Sequence, residues 1–152
     1  MSVDDAVAQQ LLGEYFASRE LGFVGSGGYR VAFPEAGRFV PPSGVFLVVE
    51  SDGADVGCGG IRLIEPSETG RTRFEVKHLW LRPEARGHGH GRALLTELER
   101  RARDFGADEL VLDTNSSLEA AAGLYRSSGF VGIPAYNDNP NATNWYLKAM
   151  TA

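Results

Sequence analysis

Cysteine is nearly absent: Cys58 is the single one in 152 residues. An internal disulfide is excluded, and such sparing use of the thiol fits a reducing compartment. An excess of positive charge is also missing, since the formal net charge is −5. That balance argues against nucleic acid or an anionic membrane as principal partner. No apolar run nears membrane-spanning length. Residues 1–10 carry two aspartates and no basic stretch of the kind that opens a secretory signal, so a cytoplasmic location is expected. Repeats, low-complexity tracts and linkers are lacking too. The chain reads as one domain, 1–152, long enough for a real core and ordinary in composition, with 43% hydrophobic and 23% charged residues.

Glycine, by contrast, is concentrated at one telling place. Arg86-Gly87-His88-Gly89-His90-Gly91 stands between a strand-like segment, 76–81, and a helix-like segment, 92–105. A strand that ends in a glycine-rich turn and opens a helix builds an anion cradle, because unpaired N–H groups at the helix start converge and the helix dipole adds to the attraction. Glycine permits positive φ and close approach of backbone to ligand. Spacing separates the ligands. No lysine lies near Gly91, which excludes a Walker loop, and Arg92 stands where the dinucleotide fingerprint begun at Gly87 needs its third glycine. Basic residues gather around this loop and its helix: Arg82, Arg86, Arg92, Arg100, Arg101 and Arg103. A local arginine patch in an acidic protein fits a polyanionic small ligand, although the last three also suit a solvated helix face.

Around the loop the sequence predicts an α+β domain. Residues 4–19 form a helix with Val7, Leu11, Leu12, Tyr15 and Phe16 on one stripe and Asp4 or Asp5 at its start. Residues 22–43 are rich in glycine and proline, and their aromatics Phe23, Tyr29, Phe33 and Phe39 either line a substrate pocket or staple a long loop to the core. Strands at 45–50 and 56–65 join through Asp52-Gly53, a hairpin signal, and a third follows at 74–81. The helix 91–105 buries Leu94, Leu95, Leu98, Ala102 and Phe105. A short buried strand, 109–113, follows it, and strand–helix–strand at these lengths implies a parallel, right-handed crossover. A helix at 117–128, closed by Gly129, precedes strands at 130–133 and 144–150. The sheet is thus antiparallel except near the crossover.

Two motifs carry a family resemblance. Arg86-x-x-Gly89-x-Gly91 matches an Arg/Gln-x-x-Gly-x-Gly/Ala loop, and Ala121-x-x-Leu124-Tyr125-x-x-x-Gly129-Phe130 follows at the expected separation. Together they resemble the GNAT superfamily of N-acetyltransferases, bacterial small-molecule type, over residues 45–150; the usual first strand is not evident before Asp4. The resemblance implies a GNAT-like acyl-CoA N-acyltransferase fold, a mixed, mostly antiparallel sheet with a parallel splayed pair and flanking helices. It implies that Leu79, Trp80 and Leu81 run beside the pantetheine of acetyl-CoA and that Gly87, His88, Gly89, His90, Gly91 and Arg92 hold its pyrophosphate, with Arg86 opening the loop. Leu124 and Tyr125 then border the thioester. Leu118 stands where many family members have asparagine, and Asn115 takes over a polar contact.

The chemistry follows from these positions. Aminolysis of a thioester expels a thiolate, which a phenol can protonate, so Tyr125 is the candidate acid; the alternative is a tyrosine packed with Leu124 and Phe130. Glu75 lies eleven residues before Arg86, an offset that resembles the base glutamate of histone-type members. Strand alternation puts Glu75 and Lys77 on one face with Leu79 and Leu81, and His78 on the other as a core residue; the bland alternative is a surface Glu75–Lys77 pair. Tyr29, Phe33, Tyr136, Asn137 and Asp138 are candidates for the acceptor mouth. No metal is assigned, because His88 and His90 lack further ligands nearby. Cys58 reads as a small buried hydrophobe. The expected activity is direct transfer of acetyl from acetyl-CoA to the primary amine of a small molecule, an amino acid or polyamine. A non-catalytic acyl-CoA sensor or protein-interaction module is the alternative, and a homodimer stays open.

Overall fold

The computed structural model describes residues 1–22, 34–115 and 119–150. Its centre is a sheet of six strands: β1 (Gly44–Ser51), β2 (Ala54–Leu63), β3 (Arg73–Leu81), β4 (Glu109–Thr114), β5 (Val131–Ile133) and β6 (Asn144–Ala149). They lie in the order β1-β2-β3-β4-β6-β5. Every neighbouring pair is antiparallel except β3 with β4. Helices α1 (Ala6–Gly22), α2 (His90–Asp104) and α3 (Glu119–Ser127) flank the sheet. The α+β, GNAT-like architecture expected from the sequence is the one observed, and α1 is the first element among the described residues.

Local chemistry accounts for the boundaries. Asp5 accepts the Val7 amide at 3.1 Å and starts α1. Asp52 and Gly53 adopt φ of 51° and 80°, a two-residue turn whose twist matches the flanking strands β1 and β2. Gly129, at φ 94°, ends α3, and the Phe130 amide reaches back to the Tyr125 carbonyl at 3.0 Å. The adjacency of β6 to β4, with β5 outside it, is a feature that the linear pattern did not supply.

Two clusters cover the two faces. On one, Leu94, Leu95 and Leu98 of α2 and Tyr125 of α3 pack on Ile61, Phe74, Val76, Leu110 and Leu112. On the other, Val3, Leu11, Leu12 and Phe16 pack on Phe39, Phe46 and Cys58. Phe39 is 3% exposed and lies edge-on to Phe46, so it is a staple of the loop. Phe23, Tyr29 and Phe33 lie outside the described residues.

Two departures from regular pairing set up the site. β3 and β4 pair only at Arg73, Phe74 and Glu75 with Glu109, Leu110 and Val111, while β4 stays paired to β6 through Thr114. Beyond Glu75 the two parallel strands part. The second departure corrects an expectation. Pairing of β2 with β3 passes from Cys58↔Trp80 to Gly60↔Lys77, so Gly59 alone opposes His78 and Leu79, and His78 takes φ 59°. This bulge reverses the alternation of β3. Leu79 lies over Gly59 with Leu94 and Leu98, on the α2 side. Glu75 and Lys77 do not share that face. They project with His78, Trp80 and Arg62 toward the side of Phe39 and Cys58, and His78 is ringed by Tyr15, Phe16 and Phe39. Counting by twos fails across an inserted residue.

Leu98 is fully buried at the centre of the larger cluster. Leu98→Ala should lower unfolding stability by about 2–5 kcal/mol, read from the urea midpoint at unchanged slope.

Candidate active site

After Leu81 the chain makes a single 3-10 turn at Pro83–Ala85 and enters α2 through the glycine loop. Gly87 and Gly89 hold φ of 82° and 84°, and a Cβ on either would meet nothing within 4 Å. Torsion rather than space requires glycine there. The result is a row of unspent donors. Among the described residues, no hydrogen bond engages the backbone N–H groups of Gly87, His88, Gly89, His90, Gly91 or Arg92; the next amide, of Ala93, donates to Gly89 O at 3.0 Å. These donors crown the positive end of the 15-residue α2. His88 is exposed and His90 half-buried, their rings 6.2 Å apart. Among the described residues, no three His, Cys, Asp or Glu side chains converge as metal ligands.

The loop is braced from both sides. Arg86 turns back, donating from Nε to Leu81 O at 3.0 Å, with its guanidinium 4.8 Å from the centre of the Trp80 ring. Arg92 donates to Ser127 Oγ at 2.8 Å and ties α2 to α3. A Cβ on Gly91 would touch Leu124 at 3.4 Å and Leu81 at 3.5 Å, so the loop, the end of β3 and α3 meet at one point. Tyr125, the next residue along α3, is 6% exposed, with Phe130 and Tyr146 rings at 5.9 and 6.0 Å. Asn115 is buried and donates to Asn141 O at 3.1 Å, which ties the end of β4 to the turn before β6.

On the opposite face, where β3 and β4 part, lies a polar cluster. Glu75 is 1% exposed, so it is no surface residue. Arg62 holds its Oε1 at 2.9 and 3.1 Å, and the Tyr136 hydroxyl donates to its Oε2 at 2.6 Å. Lys77 reaches across the gap to Asp113 at 3.3 Å. Asn137 is the hub of the turn at 134–141: its Nδ2 donates to Asp113 at 2.8 Å, and its Oδ1 accepts from Trp145 Nε1 at 2.9 Å and from the Asn139 amide at 3.2 Å. Tyr136 and Asn137 are therefore brought to Glu75, whereas Asp138 is exposed at the tip of the turn. Tyr29 and Phe33 lie outside the described residues. Arg62 and Asp113 were not foreseen. Asp113 had a signal, a carboxylate following the apolar run Leu110-Val111-Leu112; the part of Arg62 depends on the register that sets it against Glu75.

Electrostatics follow from these contacts. Burial works against the Asp113 carboxylate, but Lys77 and the amides of Asn137 and Asn139 outweigh it and hold its pKa below the usual range. Burial, then the Glu75 and Asp113 carboxylates, push the Tyr136 phenol far above its ordinary value, so it stays protonated and donates. Burial, with Glu14 nearby, raises the Cys58 thiol to about 12.

Residues 10–130 match the model of the Acetyltransferase (GNAT) family. An uncharacterized N-acetyltransferase of Schizosaccharomyces pombe is 32% identical over 112 residues, 73% of this chain and 66% of that one. Another from Escherichia coli is 32% identical over 120 residues, 76% of this chain and 71% of that one. The chain thus spans about two thirds of the length of these curated relatives. A crystal structure from Klebsiella pneumoniae, assigned as an acyl-CoA N-acyltransferase, superposes with a TM-score of 0.76 at 27% identity, covering 99% of this chain and 94% of that one. No helix among the described residues is long and apolar enough to cross a membrane. With a parted parallel pair, an open row of amides between them and α2, and a family match over most of its length, the chain belongs to the GNAT family of acetyltransferases.

Proposed function

We propose that the protein transfers the acetyl group of acetyl-CoA directly to the primary amine of a small molecule, of amino-acid or polyamine type. The observation that carries this reading is the row of uncommitted amides from Gly87 to Arg92 at the head of α2. Backbone donors left open at a helix N-terminus are matched to a diphosphate. Acetyl-CoA supplies an activated acyl carbon and a thiolate leaving group. The main chain of Leu79 and Leu81 borders the opening beside β4, and Trp80 and Arg86 brace it from behind. Leu124 closes the opposite wall.

The amine approaches from the other face of the sheet. Two carboxylates there, Glu75 and Asp113, are balanced by Arg62 and Lys77, so the acceptor face is polar with no net charge on this cluster. Holding amine and thioester together removes most of the entropic barrier. Tyr125 is assigned the proton delivered to the leaving sulfur, on the support of its place beside Leu124. Glu75 is assigned the proton that leaves the amine. Asn115, held by the turn, shapes the end of β4. Tyr136, Asn137 and Asp138 form the acceptor side. Cys58 is no acyl carrier in this scheme, because a thiol with a pKa near 12 stays protonated and unreactive at neutral pH.

A screen of amino acids and polyamines for thiol release from acetyl-CoA tests the proposal, and absence of release with every amine would overturn it. Gly89→Val places a β-branched residue at φ 84°, a strain of about 1–3 kcal/mol. Calorimetry should then show coenzyme A binding weakened about tenfold or more; retained affinity would remove the cradle. Tyr125→Phe should lower kcat about tenfold to a hundredfold with little change in coenzyme A affinity. In steady-state assays, Cys58→Ala should leave kcat within about twofold of the parent.

A further inference from the structure

The assignment of Glu75 as final proton acceptor raises a problem of access, because the carboxylate is enclosed from every element around it. Arg62 of β2 covers Oε1 with two N–H groups. Lys77 of β3 stands 3.9 Å from Oε2, and Asp113 of β4 holds that ammonium from its far side. Asn137 turns its amide nitrogen toward Oε2 at 3.5 Å, and its own carbonyl is taken by Trp145 and the Asn139 amide. Arg73 lies 5.6 Å from the centre of the Tyr136 ring. With 1% of Glu75 exposed, no amine reaches it directly.

One neighbour is different in kind. Arg62 and Lys77, as cations, donate and cannot accept. The Tyr136 hydroxyl donates to Glu75 at 2.6 Å and keeps oxygen lone pairs free to accept. It belongs to a half-buried residue on the turn that covers the acceptor face, and among the described residues no other hydroxyl bonds to Glu75.

Resting on the acetyl-transfer reading, we propose that Tyr136 is a catalytic proton conduit between the acceptor amine and Glu75. An N–H bond of the ammonium breaks as a new O–H bond forms on Tyr136 Oη. At the same time the original Tyr136 O–H bond breaks and its proton joins Glu75 Oε2. The amine is left neutral with a free electron pair, Tyr136 is a neutral phenol before and after, and the proton ends on the carboxyl. No free phenolate forms, which suits a phenol whose ionisation burial and the flanking carboxylates strongly oppose.

The test uses two amines of nearly equal size, methylamine and methoxyamine, with thiol release from acetyl-CoA as the readout. Methylamine is an ammonium ion at neutral pH and must lose a proton; methoxyamine is already a free base. Tyr136→Phe keeps the ring beneath Arg73 and removes only the hydroxyl. It should lower kcat/KM for methylamine about a hundredfold more than for methoxyamine. The methylamine deficit should shrink as pH rises and free amine accumulates. Glu75→Gln, which preserves shape, should reproduce the same selectivity. Equal losses with both amines, no loss with either, or a deficit insensitive to pH would overturn the conduit while leaving acetyl transfer standing. If neither amine is acetylated, the amine that the amino-acid and polyamine screen identifies takes methylamine's place in the same pH series, and absence of release with every amine would overturn the acetyl-transfer reading, and the conduit with it.

Discussion

The organisation of this protein depends on a parallel pairing that is cut short. β3 and β4 share only three residue pairs before they separate, and their continuations are held elsewhere, β3 by β2 and β4 by β6. A parallel pair in a covered sheet would ordinarily continue to the strand ends, because an unpaired backbone edge inside a protein carries a free-energy penalty. Here the edge beyond Glu75 lies beside the head of α2, where another row of backbone donors is also left open. The two unmet demands adjoin each other. A ligand that offers amide groups to one and phosphate oxygens to the other would satisfy both.

Keeping the strands apart calls for support on each face. On one, large aliphatic side chains of α2 and α3 fill the space over Phe74, Val76, Leu110 and Leu112. On the other, charge does the bridging: Lys77 spans from β3 to Asp113 on β4, and Asn137 fixes the covering turn to the same carboxylate. Buried ionic groups of this kind add little net stability, yet losing one partner leaves another uncompensated. Asp113, with its pKa depressed in the folded state, contributes stability above the ordinary carboxylate pKa and loses it as pH falls through the folded value.

Much of this was legible in the chain, and the reasons differ by element. The stripe on α2, the Asp52-Gly53 hairpin and the Gly129 cap are local, so spacing and turn chemistry reveal them. The glycine loop was legible for a similar reason, since positive φ at Gly87 and Gly89 is a demand on single residues. Glu75 was singled out from the sequence as a candidate, but its surroundings were misjudged. Its partner Arg62 lies across a register, and its partner Tyr136 returns from 61 positions away, information that no local pattern contains. The placement of Leu79 and Leu81 opposite to Glu75 was hidden by one inserted residue, which leaves hydrophobic alternation intact on either side and out of phase between them. The order of β6 and β5 is likewise a product of tertiary packing.

That inserted residue has a wider consequence. With His78 at φ 59°, β3 behaves as two short ribbons joined out of phase. Its first half gives carboxylate and ammonium groups to one surface and phenyl and isopropyl groups to the other. Its second half can still send leucines to the oily side and the indole of Trp80 to the reverse. A single ribbon in strict phase would have to send Leu79 and Leu81 the same way as the charges, stranding alkyl chains among ions. The kink is what lets one strand serve two chemically opposed surfaces without compromise on either.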